Sequence, residues 1–305
     1  MAENAPARPD RAAAKAALAV VLGLVACGGD GPTAPDDLPA RPELVSPAPG
    51  AQLATDTPVF TVLNARGYDQ GEAEYRFRVS VAATGAEVAA ATLPAGSGHT
   101  AMRFDTPLLR GTTLSWRVTA TRRGADAISS ESATFRLPAT QCPRPPTPFA
   151  QRVVDWWIPA CSLAANLYND PDEVVGSPDA AEIAPDRYRG MVSLGTGGYV
   201  VVDMEGCAAD GPGDDVRVYQ TVSTEPVTLY AGSSPEGPWV LLEARKPCGA
   251  RVPGVFSRGC TFDLGRAGLE EARYFKVEDG ELYPCPGGSG SDGADIDAVE
   301  VLSFK

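Results

Sequence analysis

The sequence predicts an all-β protein built as two β-sandwich domains. Three observations lead there: apolar residues that alternate at period two, a content of 32 Gly and 28 Pro, which suits turns better than helices, and many short runs separated by turn signals. The 305-residue length fits about two domains, and a 44% hydrophobic content is enough for packed cores. The clearest run is Tyr75-Arg76-Phe77-Arg78-Val79-Ser80-Val81, in which Tyr75, Phe77, Val79 and Val81 share one face. Pro58 to Val62, Thr113 to Ala120 and Ala133 to Leu137 repeat the scheme. Shorter runs near Glu87 to Leu93 and Thr100 to Phe104 bring the count to about seven strands, the density of a sandwich.

Charge and residue counts exclude several functions. The chain has 39 acidic against 26 basic residues, a net charge of −13, which opposes nucleic-acid binding. His99 is the only histidine, so a Ser–His–Asp triad or a two-His zinc centre has little to build on. The Gly-rich stretch VSLGTGGYVVVDM lacks the Lys-Ser/Thr ending of a phosphate loop and enters a strand, so its glycines are read as a tight hairpin.

The first residues read as an address. Arg8, Arg11 and Lys15 precede an apolar run, Ala16 to Ala26, of about eleven residues, which spans roughly half a bilayer core. The run ends in Leu24-Val25-Ala26-Cys27, which resembles the lipobox of bacterial lipoproteins. The resemblance implies a signal peptide over 1–26, cleavage behind Ala26 and lipidation of Cys27. It also implies an exported chain anchored by lipid to the cell envelope, and Gly28 points to the outer membrane or cell surface. The stretch 27–41, CGGDGPTAPDDLPAR, is too polar and Pro-rich to pack and is read as a flexible tether.

Export places Cys142, Cys161, Cys207, Cys248, Cys260 and Cys285 in an oxidising space, where six cysteines without a C-x-x-C pair read as disulfides. Proximity pairs Cys248 with Cys260. Cys142 with Cys161 and Cys207 with Cys285 would complete the set, one of 15 connectivities.

The segment 42–138, with LVSPAPGAQL near its start and LLRGTTLSWRVTA late, resembles a fibronectin type III-like module, with Trp116 in its core. QCPRPPTP, within a linker over 139–148, is stiff enough to hold neighbours apart. The remainder, 149–305, contains FAQRVVDWW, a long first loop ending near GSPDA, the LGTGG hairpin, Ser234-Pro235-Glu236-Gly237-Pro238-Trp239 and a final DIDAVEVLSF strand. In that order these pieces resemble the galactose-binding-like (discoidin-like) jelly roll of bacterial surface proteins. Cys-rich loops and the prolines around Trp239 depart from the family pattern.

Acidic residues concentrate in two Gly-rich segments, DGPGDD and GGSGSDGADID. Crowded carboxylates repel, and Ca²⁺, which takes six to eight oxygens, relieves this. Asp295 and Asp297, then Asp214 and Asp215, with Asp292 and Asp210, are the candidate ligands; solvated loop charge is the competing account. A Cys207–Cys285 bridge would staple the two segments at one rim. The jelly-roll resemblance implies a second placement, at Asn169, Asp170 and Asp172 with Glu300. For a ligand, loop-tip aromatics come first: Trp157, Tyr168 and Tyr188, with Trp156 and Trp239 also in reach. Of Trp156 and Trp157, adjacent on one strand, one is expected to face the core.

The function read from these features is a non-catalytic, surface-anchored lipoprotein, a Ca²⁺-stabilised binding or adhesion module for glycans or a surface protein. A structural or assembly role through protein contacts is the alternative. A carbohydrate-active enzyme is the third reading, which the lone His and the lack of a catalytic-domain motif oppose.

Overall fold

The structure is a computed structural model that describes residues 38–69, 72–139, 142–159, 167–221, 225–280 and 293–304. The signal peptide, Cys27, Cys161, Cys285 and Asp292 lie outside the described residues. The protein is all-β, and no helix among the described residues is long and apolar enough to cross a membrane.

The first sandwich packs a three-stranded sheet on a larger one. β1 (Glu43–Ser46), β3 (Val59–Leu63) and β6 (His99–Arg103) form the smaller sheet in the order β1-β3-β6. The larger contains β2 (Ala51–Gln52), β4 (Glu74–Val81), β5 (Glu87–Pro94), β7 (Thr112–Thr121), β8 (Ile128–Ser129) and β9 (Ala133–Leu137), in the order β2-β9-β7-β4-β5 with β8 on β7. Alternation decides which side chains go inside: Tyr75, Phe77, Val79 and Val81 are all fully buried. Trp116 stands at the centre, edge-on to Phe60 at 5.1 Å and stacked on Phe77 at 6.4 Å. Tyr75, also in the core, accepts the Ala65 N–H on its hydroxyl at 2.9 Å. Leu38, inside the stretch read as a tether, is buried, and Pro39 accepts the Arg66 N–H, so ordered chain begins earlier than composition indicates.

The second sandwich pairs two five-stranded antiparallel sheets. One has the order β10-β14-β20-β16-β17, from β10 (Arg152–Trp157), β14 (Tyr199–Ala209), β16 (Pro226–Gly232), β17 (Val240–Pro247) and β20 (Glu271–Asp279). The other has the order β13-β21-β15-β19-β18, from β13 (Val192–Ser193), β15 (Val216–Gln220), β18 (Ala250–Arg251), β19 (Arg258–Phe262) and β21 (Asp295–Val301). A hairpin of β11 (Ala181–Ala184) and β12 (Arg187–Arg189) lies outside both. Val200, Val202, Leu229, Phe275 and Val277 of the first sheet face Val218, Phe262, Ile296 and Val299 of the second across the core.

The linker does not act as a spacer. Cys142 is bonded to Cys207 on β14, and the Cys207 N–H donates to Pro143. A Cβ on Gly206 would fall 2.3 Å from the Pro145 nitrogen, so glycine is what lets the Pro-rich segment lie against the strand. The sandwiches also touch: the Thr112 hydroxyl donates to the Gly268 carbonyl at 2.6 Å, the Glu270 N–H donates to Gly111, and Arg136 pairs with Glu270. The Cys142–Cys207 bond replaces the Cys142–Cys161 and Cys207–Cys285 pairings expected to complete the set, because the linker lies against β14. The expected Cys248–Cys260 pairing is present, across the 249–259 loop.

Candidate functional site

The acidic segments are separated by the register of one strand pair. In β15 and β21, Val216 faces Val301 and Gln220 faces Ile296. The Asp215 carbonyl accordingly accepts the Leu302 N–H, and the Asp295 carbonyl accepts the Thr221 N–H at the far end. Five residues of strand, about 17 Å, lie between. Among the described residues, Asp210–Asp215 and Asp295–Asp297 therefore do not share the expected rim.

Most of the expected metal ligands hold loops. Both oxygens of buried Asp297 are occupied: one accepts the Asp179 and Ala180 N–H groups, the other the Ser257 hydroxyl. Asp214 accepts the Thr261 hydroxyl. Asp170 caps the short turn at 171–174 by accepting the Asp172 N–H, while Glu300 is engaged by Arg217 and the Tyr219 hydroxyl and Asn169 is exposed. What comes together is Asp210, Asp215 and Asp263, with one ligand atom from each within 4.8 Å of the others. Asp263 escaped the sequence reading because it follows β19, far along the chain. Burial raises the Asp215 carboxyl above its ordinary range, and Asp210 and Asp263 push it further. Its two oxygens also accept the Gly211 and Leu264 N–H groups at 2.9 Å. Asp215, like Asp297, has both oxygens engaged by N–H groups, so a hard cation here would share them with the backbone, with Asp210 and Asp263 completing an oxygen set.

The aromatic candidates divide between two places. The Tyr168 hydroxyl accepts the Tyr188 N–H at 3.2 Å, and the Tyr188 ring lies 6.2 Å from Phe256. Phe256 is 51% exposed on the 251–258 loop, which encloses a concavity of about 490 Å³. Trp157 is elsewhere, on the outer face of the β10-β14-β20-β16-β17 sheet. Neither tryptophan of the Trp156-Trp157 pair is buried: they are 36% and 44% exposed because β10 is an edge strand.

A bulge decides which of the two joins that face. Arg152 pairs with Asp203 and Val153 with Val202, but Asp155 pairs with Val201, so one residue is inserted at Val154. The insertion reverses the alternation and places Asp155 and Trp157 outward. Three cross-strand rows result. Trp157, Tyr199, Glu278 and Thr228 form the first, and Asp155, Val201, Lys276, Tyr230 and Leu241 the second. The third is Arg152, Asp203, Tyr274 and Gly232, with the Trp239 ring covering Gly232. The expected surface turn thus delivers Trp239 to the edge of this face.

The polar groups are fixed among the rings. The Lys276 ammonium lies 4.4 Å from the Tyr199 ring centre, 5.4 Å from that of Tyr230 and 3.3 Å from Glu278. The Tyr199 hydroxyl donates to Asp155 at 2.9 Å. Asp203, fully buried, receives Arg152 at 2.6 Å and Arg273 at 2.7 and 3.0 Å. Burial works to raise its carboxyl, but these hydrogen bonds outweigh it and hold the group below its ordinary value. The result is a surface of rings, hydrogen-bond donors and acceptors.

A third acidic group titrates in a useful range. Asp295 stands near Glu225 and Asp279, and burial first, then these neighbours, push its carboxyl up to about 7. A carboxyl raised on folding contributes stability that is complete below its unfolded value of about 3.9 and is lost as pH rises through the folded value. Three units at 1.36 kcal/mol bound the loss at about 4 kcal/mol. Asp295→Asn is therefore expected to raise Tm by several degrees near pH 8 and to flatten its fall from pH 5 upward, measured by calorimetry. An unchanged pH slope would contradict this assignment.

No family model matches the chain, and no curated protein matches it. Among solved structures, a SusE-like protein aligns over 85% of this chain and 95% of its own length at 10% identity, with a TM-score of 0.25. The FN1-FN3 domains of chicken CNTN1 align over 87% of this chain and 68% of their own at 11% identity, with a TM-score of 0.24.

Proposed function

We propose that this protein is a non-catalytic glycan-binding module of the cell surface, and that the outer face of the β10-β14-β20-β16-β17 sheet is its binding surface. The observation that carries the reading is Trp157 beside Tyr199 on one cross-strand row of the outer sheet face, with Tyr199 and Tyr230 of the next row flanking Lys276. Aromatic rings offer flat apolar contact to the C–H face of a sugar, and adjoining carboxylates and ammonium groups match its hydroxyls. A rigid sheet also presents these groups at little ordering cost. The test is retention of the full chain on a panel of immobilised polysaccharides. Trp157→Ala or Tyr230→Ala is expected to weaken retention about tenfold, and Tyr188→Ala to leave it within about threefold. Retention lost through Tyr188→Ala alone would move the site to the 251–258 rim.

A structural Ca²⁺ held by Asp210, Asp215 and Asp263 belongs to the same proposal. Such an ion stabilises the folded chain by about 2.7 kcal/mol at a hundredfold excess over Kd. Millimolar Ca²⁺ should raise Tm over that in EDTA, and Asp210→Asn with Asp263→Asn should remove the difference. Identical melting of the unaltered chain in Ca²⁺ and EDTA would refute the ion.

Anchoring through lipidated Cys27 completes the proposal, supported by Leu24-Val25-Ala26-Cys27 behind a basic and apolar leader. Cys27→Ala should shift the protein from the membrane to the soluble fraction. Unchanged fractionation would argue for a different attachment.

A further inference from the structure

Charge on the outer face bears on the kind of glycan it takes. Among the described residues, Arg152, Arg273 and Lys276 are the cations that touch its carboxylates. Arg152 and Arg273 both make contact with the single carboxylate of Asp203. Lys276 is held by Glu278 and by two tyrosine rings, with its side chain only 21% exposed. Asp155, beside Tyr199, adds a third carboxylate. Glu205 lies 3.9 Å from Arg152 as well, so each of these three cations has at least one carboxylate in contact, within a chain of net charge −13.

Arg152, Arg273 and Lys276 each already have a counter-charge in contact, while exposed Arg245 lies at the rim, its backbone N–H on Thr228. A carboxylate or sulfate on a ligand would have to approach Lys276 beside Glu278, or the arginines beside Asp203. Like charges placed together in this way oppose binding and favour other partners. Hydroxyls meet no such penalty, since each both donates and accepts. The rings and polar groups also run across the strands, from Trp157 on β10 to Leu241 on β17. At about 4.8 Å per strand this is about 19 Å, the span of an oligosaccharide and more than one sugar needs.

Resting on the reading of this face as a glycan surface, we infer that its ligand is an uncharged glycan chain laid across the strands, and that Glu278 enforces this selectivity by neutralising Lys276. Asp155 and Glu278 accept from hydroxyls of the chain, and Lys276 donates to them. An anionic chain is refused because the ammonium it would seek is already paired.

The experiment compares the full chain on neutral mannan and β-glucan with its binding to polygalacturonate, at low and high salt. The unaltered chain should bind a neutral polysaccharide with little salt dependence, and polygalacturonate at least about tenfold more weakly. Glu278→Gln, which keeps the side-chain shape, should gain polygalacturonate binding about tenfold, and high salt should remove the gain. Adding Lys276→Met to Glu278→Gln should abolish it. Melting curves of both variants establish that they are folded. If the unaltered chain binds polygalacturonate as tightly as neutral chains, with binding sensitive to Tyr230→Ala, the selectivity is wrong and the glycan surface stands. Failure of folded Glu278→Gln to gain polygalacturonate binding also overturns the selectivity. If no polysaccharide is retained, or retention survives both Trp157→Ala and Tyr230→Ala, the glycan surface itself falls.

Discussion

Asp203 is fully buried between the guanidinium groups of Arg152 and Arg273, one from each strand flanking β14. A buried carboxylate of this kind is tolerated only while its partners remain, and removing one typically costs 3–5 kcal/mol. Arg152 opens the edge strand β10, so the clamp fixes where that strand begins to pair. The inserted residue at Val154 then turns Asp155 and Trp157 outward, beside Tyr199. Beyond backbone pairing on one side, the register of β10 rests on this clamp, the Tyr199–Asp155 hydrogen bond and Val153 packed on the core. The ionic clamp is the buried member of that set and anchors the end of the aromatic face.

Buried aspartates serve the rest of the second sandwich in a similar way. Asp215 holds Gly211 and Leu264, Asp279 holds Gly197 and Ala294, and Asp297 holds Asp179, Ala180 and Ser257. Each carboxylate accepts N–H groups of loops that have no strand partner for them, which fulfils the requirement that buried backbone donors be paired. Acid-rich, Gly-rich segments are therefore the means by which this sandwich closes its ends. Rigid ends in turn leave the outer sheet face as a fixed platform, with Lys276 locked between Tyr199 and Tyr230.

Features set by local pattern were legible in the sequence. Tyr75 to Val81 alternates without a break, so its buried face follows from period two, and Trp116 on the neighbouring strand falls in the same core. Cys248 and Cys260 lie twelve residues apart across one loop and could be paired by proximity. Cys142 and Cys207 are separated by 65 residues, and only the packing of the linker on β14 joins them. The acidic segments misled for a related reason. Composition reports crowding along the chain, while the antiparallel register of β15 and β21 puts Asp215 and Asp295 at opposite ends. Nor does alternation reveal a bulge: the choice between Trp156 and Trp157 for the outer face turns on one inserted residue, and Asp263 joins Asp210 and Asp215 only in three dimensions.

The proposed glycan surface is the outer face of the β10-β14-β20-β16-β17 sheet. The direct measurement is a nuclear magnetic resonance titration of the full chain with a neutral oligosaccharide, following the Trp157 indole N–H and the backbone amides. The expected result is concentration-dependent shifts at Trp157, Tyr199, Lys276 and Tyr230, with Tyr168, Tyr188 and Phe256 unmoved. Shifts confined to Tyr168, Tyr188 and Phe256, with the sheet face silent, would contradict it.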